Sequence, residues 1–333
     1  MSEAERVGQL LMVDNPTTSV STTTLYDISA LHVGGVILDR NSSLSVSQTR
    51  AITEKLQATA PHSVGLLIST DQEGGIVRRL RGPGFSTMPS ALVQGGWPVS
   101  SLQSQAIVWG KQLKAAGVDV DLAPVLDTVP PGSGGNPPIG DLDREYGHDV
   151  STVTSHGLAV AAGLATAGVA VAVKHFPGLG RVSGNTDTTS GVTDTVTTTL
   201  DPYLVPFANA VDANVGFVMM STAIYSKIDP GRPAAFSSKI IGSLLRGQLG
   251  FSGVVISDDL GAAKQVAAYP VGTRAVDFIA AGGDIVLTVD ASEASTMASA
   301  ILAKANSDPA FKALVDQAAL TVLQEKETLG LLR

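Results

Sequence analysis

Cysteine is absent from the 333 residues, which excludes disulfides, thiolate metal sites and a cysteine nucleophile. Charge is sparse, at 16% of residues, and the net balance is −8. A surface of that sign disfavours nucleic acid, whose phosphates select basic faces. No long block of like charge and no internal repeat occurs, and 44% of the residues are hydrophobic, enough to bury a large core and to exclude disorder. Uninterrupted apolar runs of membrane-spanning length are missing. The nearest, GLAVAAGLATAGVAVAV at 157–173, is broken by Gly163, Thr166 and Gly168 and runs straight into Lys174 and His175. It reads as a soluble helix followed by a buried strand. The opening MSEAERVGQLLMV has no basic segment leading into an apolar one, so no signal peptide is expected. The missing cysteines and the Thr/Ser-rich stretch at 186–199 are compatible with export, to the cell envelope or beyond.

What is present is a repeating pattern of short apolar runs. They fall at 10–13, 34–38, 64–70, 118–124, 169–176, 216–222, 253–259 and 284–289. Most are continuous rather than alternating, as for strands covered on both faces. Helical spacing of apolar residues fills the intervals, as at 47–60, 100–117, 202–214, 239–250 and 273–283, and Gly117 stands where a helix C′ glycine belongs. Eight strands alternating with helices predict an α/β fold, a single (β/α)8 barrel spanning 1–333, with a terminal helix over 308–330. A doubly wound open sheet shares the same periodicity and is the runner-up.

In such a barrel the site forms at the carboxyl ends of the strands, and unusual charges cluster there. The third strand ends in Asp71-Gln72-Glu73-Gly74-Gly75, the fourth runs to Asp127, the fifth ends in Lys174-His175, and the seventh in Ser257-Asp258-Asp259. Each has a bland alternative. Asp71 could cap its loop, Lys174 could pair with a buried carboxylate, and Asp258 or Asp259 could be a helix N-cap. Together, at one end of a barrel, they predict a site. Carboxylates with lysine, histidine and arginine, without metal-ligand spacing, suit binding and cleaving a polyhydroxylated substrate. No metal or organic cofactor is called for.

The segments VKHFPGLG, TDQEGG with a downstream arginine, LAPVLD and VVISDDL resemble, in order and spacing, glycoside hydrolase family 3, and most of all its single-domain β-N-acetylglucosaminidases. The resemblance implies a retaining glycoside hydrolase acting on terminal β-linked sugars, with cell-wall-derived saccharides as the expected substrate. It implies Asp258 as the nucleophile and Asp259 as a neighbouring N-cap. It implies Asp71, Arg79, Arg144, Lys174 and His175 as the residues that hold one sugar ring. Arg79 and Arg144 also have a reading as plain ion-pair arginines.

One stretch departs from the family. Where its pattern reads HGDTxxDSH, with an aspartate–histidine acid/base dyad, this chain reads LGRVSGNTD, placing Asn185 and Asp187 at the dyad positions. Ser221-Thr222-Ala223 stands where a histidine often follows the sixth strand, and His32, His62, His148 and His156 match no acid/base position. Three explanations stay open: Asp187 is itself the general acid, a group from a partner chain supplies the proton, or hydrolysis is lost and a sugar-binding barrel remains. A β-glucosidase-type specificity is the other alternative.

Overall fold

The computed structural model describes residues 1–61, 64–132 and 135–332, so His62 lies outside the described residues. Eight parallel strands close into a barrel: β1 (Leu11–Pro16), β2 (Gly35–Asp39), β3 (Leu67–Thr70), β4 (Val120–Asp121), β5 (Ala170–Phe176), β6 (Phe217–Met220), β7 (Val254–Asp259) and β8 (Ile285–Thr288). Neighbours in the barrel are neighbours in the chain, and β1 pairs with β8 through Leu11↔Val286 and Met12↔Leu287. Closure by that pairing decides against the open sheet.

The apolar runs are continuous because the strands serve two cores of opposite facing. Met12, Ile37, Met219 and Ile256 fill the barrel interior, while Val13, Val36, Leu38, Val218 and Val255 pack outward under the helices. The period-2 alternation of a strand thus sorts residues between two apolar layers rather than between core and water.

The helices start and stop on ordinary cap chemistry. Ser45 and Gln48 form a capping box for Val46–Thr59, and Asp149 caps Val150–Thr166 by accepting from the Thr152 N–H at 2.9 Å. Gly117 follows the helix Val99–Ala115 at φ +81°, as expected of a C′ residue. The run at 157–173 is indeed a helix end joined to β5, and among the described residues no helix is long and apolar enough to cross a membrane.

Two expectations need adjusting. The fourth strand was expected over 118–124 but pairs as a ladder only at Val120–Asp121, because Pro124 has no N–H to offer. Pairing resumes beyond it, where the Leu126 N–H donates to the Lys174 carbonyl at 2.7 Å. The terminal helix is preceded by a second one, Ala294–Ser307, and Asp308 breaks the run by capping Pro309–Thr328.

Candidate active site

The site begins where β3 ends. Gln72–Gly74 turns back on Val77–Arg78 as a small antiparallel hairpin. The Gln72 N–H is held by Asp121 Oδ1 at 2.9 Å, and its side chain brackets the Leu80 backbone in both directions. Gly74 sits at φ +109°, with the Pro89 carbonyl 2.1 Å from where a Cβ would lie, so only glycine fits. The hairpin therefore turns Glu73, 4% exposed, into the protein beside Asp71.

From the end of β5, Lys174 reaches both carboxylates, with Nζ 2.6 Å from Asp71 Oδ1 and 2.7 Å from Glu73 Oε1. Arg144 grips Glu73 with a fork, Nε to Oε2 at 2.8 Å and Nη2 to Oε1 at 2.7 Å, and donates through Nη1 to the Pro138 carbonyl. Its Nη2 also lies 3.4 Å from His175 Nε2, while His175 Nδ1 is 2.7 Å from Asp127 Oδ2. The Asp127 carboxylate at Nδ1 places a ring proton on that nitrogen. On the far side Arg79 bridges Asp39 at 3.4 Å and Asp71 at 3.8 Å. The result is one chain of alternating charge, from Asp39 through Arg79, Asp71, Lys174, Glu73 and Arg144 to His175 and Asp127.

Burial opposes the charge on Glu73, Lys174 and Arg144, and their partners outweigh it. The Arg144 guanidinium and Lys174 ammonium hold Glu73 well below the usual carboxylate range. Asp71 and Glu73 in turn raise Lys174 above the ordinary lysine value. Asp121, fully buried beneath them, is different: burial pushes it up to about 8, and its Oδ2 has no hydrogen-bond partner among the described residues.

The opposite wall carries the end of β7 and the loop after β5. Asp258 Oδ1 accepts from the Asp259 N–H at 2.8 Å, and the residue lines the pocket. Asp259 is not the N-cap of a helix, as was expected. Its oxygens accept from the Gly261, Ala262 and Val289 N–H groups and fix the turn after β7, and the next long helix starts at Val271 behind Pro270.

The loop is fastened at both ends. Asn136 Nδ2 donates to the Leu179 and Val182 carbonyls, and Gln265 pairs with the Val192 backbone. Around Asp187 the ties are to backbone only. Asn185 Oδ1 accepts from the Asp187 N–H at 2.9 Å, and the Asp187 and Thr186 carbonyls accept from the Lys264 and Gln265 N–H groups. The Asp187 carboxyl itself is exposed at the pocket mouth and has no hydrogen bond among the described residues. It is neither sealed into a structural network nor turned away, because it lines the same cavity as Asp258.

Protein walls on most sides of Asp187 raise its carboxyl above the usual value, against the pull of His175 and Arg144. Asp258 is raised by burial and by Asp187, against the pull of His175. The charge of Asp187 thus resists the ionisation of Asp258, and Asp259 and Asp71 resist that of Asp187.

All seven expected residues, Asp71, Arg79, Arg144, Lys174, His175, Asp187 and Asp258, line a single cavity of about 340 Å³. The bland alternative for Lys174 is also true of it, since it does pair with buried carboxylates. His148 and His156 bond elsewhere, to the Val129 and Trp97 carbonyls. Glu73 was missed as a participant. Its signal was its place two residues beyond Asp71 in an extended segment, on the same face. Among the described residues no group of three or more histidines and carboxylates is arranged to hold a metal ion.

Comparisons with known proteins agree with this fold. Residues 3–324 match the family model for the glycosyl hydrolase family 3 N terminal domain. The chain is similar to a β-N-acetylhexosaminidase structure from Beutenbergia cavernae, at 50% identity and TM-score 0.97, covering 98% of this chain and 99% of that one. It is similar to a family 3 β-N-acetylglucosaminidase structure from Paenibacillus, at 30% identity and TM-score 0.91, covering 99% of this chain and 63% of the other. A β-hexosaminidase of Xanthomonas oryzae is 35% identical over 77% of this chain and 76% of its own length. A closed (β/α)8 barrel, a polar cavity at the carboxyl ends of its strands and a family match over nearly the whole chain lead to one conclusion: the protein belongs to glycosyl hydrolase family 3 and is a glycoside hydrolase.

Proposed function

We propose that the chain is a single-domain retaining β-N-acetylglucosaminidase in which Asp258 is the nucleophile and Asp187 the acid/base. The observation that carries this reading is that the two carboxyls stand on one cavity with the cationic clamp, both raised by burial, and Asp258 further by the charge of Asp187. A retaining hydrolase needs one carboxylate ionised and one protonated at the same moment. Burial and carboxylate repulsion in a walled site produce that division. Asp258 is the member to ionise, because His175 and Lys174 lie beside it and its Oδ1 already accepts a backbone N–H.

In the proposed cycle a terminal sugar ring is held by hydroxyl contacts to Asp71, Arg79, Lys174, His175 and Arg144. Oδ2 of Asp258 forms a bond to C1 while the bond from C1 to the leaving oxygen breaks, and Asp187 gives that oxygen its proton. Once Asp258 is esterified its negative charge is gone, so Asp187 becomes a stronger acid and remains ionised. It then takes a proton from the incoming water, whose oxygen bonds C1 as the bond to Asp258 breaks. That proton leaves Asp187 in its starting acid form, and Asp258 is again a carboxylate. The name of the Paenibacillus relative supports the N-acetylglucosamine preference, and terminal residues on cell-wall fragments are the natural substrate to try.

Intact-mass and peptide spectrometry after incubation with a 5-fluoro-N-acetylglucosaminyl fluoride tests the nucleophile. The expected result is one sugar adduct on the peptide containing Asp258. An adduct on another carboxylate contradicts the assignment, and so does turnover of the reagent with no adduct, which favours attack by the substrate's own acetamido group.

A further inference from the structure

We propose that Glu73 is the positioning residue of the sugar clamp: one buried carboxylate that fixes both cations, Lys174 and Arg144, in the geometry in which they meet the substrate. It rests on the reading of those two cations as sugar-holding groups, and goes beyond it by naming what holds them. Lys174 and Arg144 come from distant parts of the chain and carry like charges, so side by side they repel. Glu73 lies between them and makes three charge-assisted contacts of 2.7–2.8 Å, two with the Arg144 fork and one with Lys174. Both acceptor oxygens are used, Oε2 by Arg144 Nε and Oε1 shared by Arg144 Nη2 and Lys174 Nζ.

Glu73 itself has no route to substrate, because it is 4% exposed and absent from the cavity lining, whereas Lys174, Arg144 and Asp71 all line the cavity. The carboxylate is thus an internal strut. Gly74 and the Gln72 contacts behind it make the strut rigid, since the hairpin cannot shift without losing the Asp121 bond and the Leu80 bracket. Arg144 carries the constraint one step further, to His175 Nε2 at 3.4 Å.

The same arrangement sets the charge of Lys174. The groups that face it are Asp71 and Glu73 from the β3 loop, Asp121 from β4, Arg144 from the loop beyond β4, and Asp258 from β7. Burial and Arg144 favour the neutral amine, and Asp71 and Glu73 favour the ammonium. Replacing Glu73 by glutamine removes one of the two main anions and leaves every opposing effect in place. Lys174 then loses its proton at a lower pH than in the wild type, and the clamp weakens as pH rises.

The test is kcat and KM for an aryl β-N-acetylglucosaminide between pH 6 and 9, for wild type, E73Q, E73D and D258A. E73Q is expected to raise KM about 10–100-fold at neutral pH, the loss of charge-assisted contacts, with a smaller change in kcat. Its KM climbs further toward pH 9, whereas wild-type KM stays flat. E73D restores the charge and a flat profile, with KM between the two. A wild-type KM in E73Q overturns the proposal. So does a fall in kcat with unchanged KM and no pH dependence, because that is fewer active molecules rather than a displaced clamp. Should E73Q not fold, E73D decides alone: a raised KM supports the strut, and a wild-type KM overturns it. D258A separates the two levels, since full activity in D258A removes the functional reading itself, while an inactive D258A beside a normal E73Q removes only the strut.

Discussion

The two walls of the cavity are built on opposite principles. The clamp wall is a chain of alternating charges in which Lys174, Glu73 and Arg144 are each satisfied by at least two partners. The loop at Asp187 is tied down through its backbone, and the Asp187 carboxyl meets no side-chain partner among the described residues. Ion pairs of this kind keep charges permanently charged, which suits hydroxyl binding. An acid/base must instead change its protonation state in every cycle, and a partnered carboxylate like Glu73 could not do so. The sparse surroundings of Asp187 are therefore consistent with proton transfer, just as the crowded ones of Glu73 exclude it.

The largest expected effect lies at Asp258, the proposed nucleophile, at the end of β7. Asp258→Ala is expected to lower turnover of an aryl β-N-acetylglucosaminide by about 10⁴-fold or more, measured by chromophore release. On the clamp wall, Arg144→Ala leaves Glu73 buried with Lys174 as its remaining ion-pair partner. It is expected to cost about 3–5 kcal/mol in urea unfolding. A cost under 1 kcal/mol would erase the contrast between the walls, because it would make the chain of pairs mere surface decoration.

On the other wall the prediction is the reverse, large in chemistry and small in stability. Asp187→Ala is expected to slow substrates with poor leaving groups about 10²–10³-fold, while shifting unfolding free energy by less than about 0.5 kcal/mol, as for an exposed residue. The pH dependence follows from the raised Asp187 carboxyl. Wild-type kcat/KM for such substrates falls as pH rises through the Asp187 pKa, because the protonated form is the acid, and that limb disappears in Asp187→Ala.

Asp121, beneath the clamp, gives a milder signature. With its carboxyl at about 8 in the folded state against 3.8 ordinarily, the native protein keeps a proton that the unfolded chain has released between those values. Stability therefore declines as pH rises through that window. Asp121→Asn is expected to flatten the decline in a pH series of thermal unfolding.

Much of this was legible in the sequence, for reasons that can be named. The eight strands showed as continuous apolar runs because the barrel interior and the helix layer are both dry, as the pairing of Met12 inside with Val13 outside illustrates. The charged residues at strand ends stood out because little else in those runs is polar. Partnership was less legible. Glu73 and Arg144 are 71 residues apart and their fork depends on the hairpin geometry after β3. Asp259 looked like a helix cap because aspartate often is one, yet the chain after β7 makes a turn first. The short ladder of β4 followed from a proline whose missing N–H was visible in the sequence. The loop at 185–187 was opaque because its position is set by Lys264 and Gln265, nearly 80 residues away.

The central claim is that Asp187 does the proton transfer that the family assigns to a histidine. It is tested most directly by a leaving-group series: kcat/KM for aryl β-N-acetylglucosaminides of graded phenol acidity, in wild type and Asp187→Ala. Acid assistance predicts a shallow dependence in the wild type and a steep one in the variant, with the two lines converging at the most acidic phenols. Parallel lines, with the same slope in both proteins, would show that another group moves the proton.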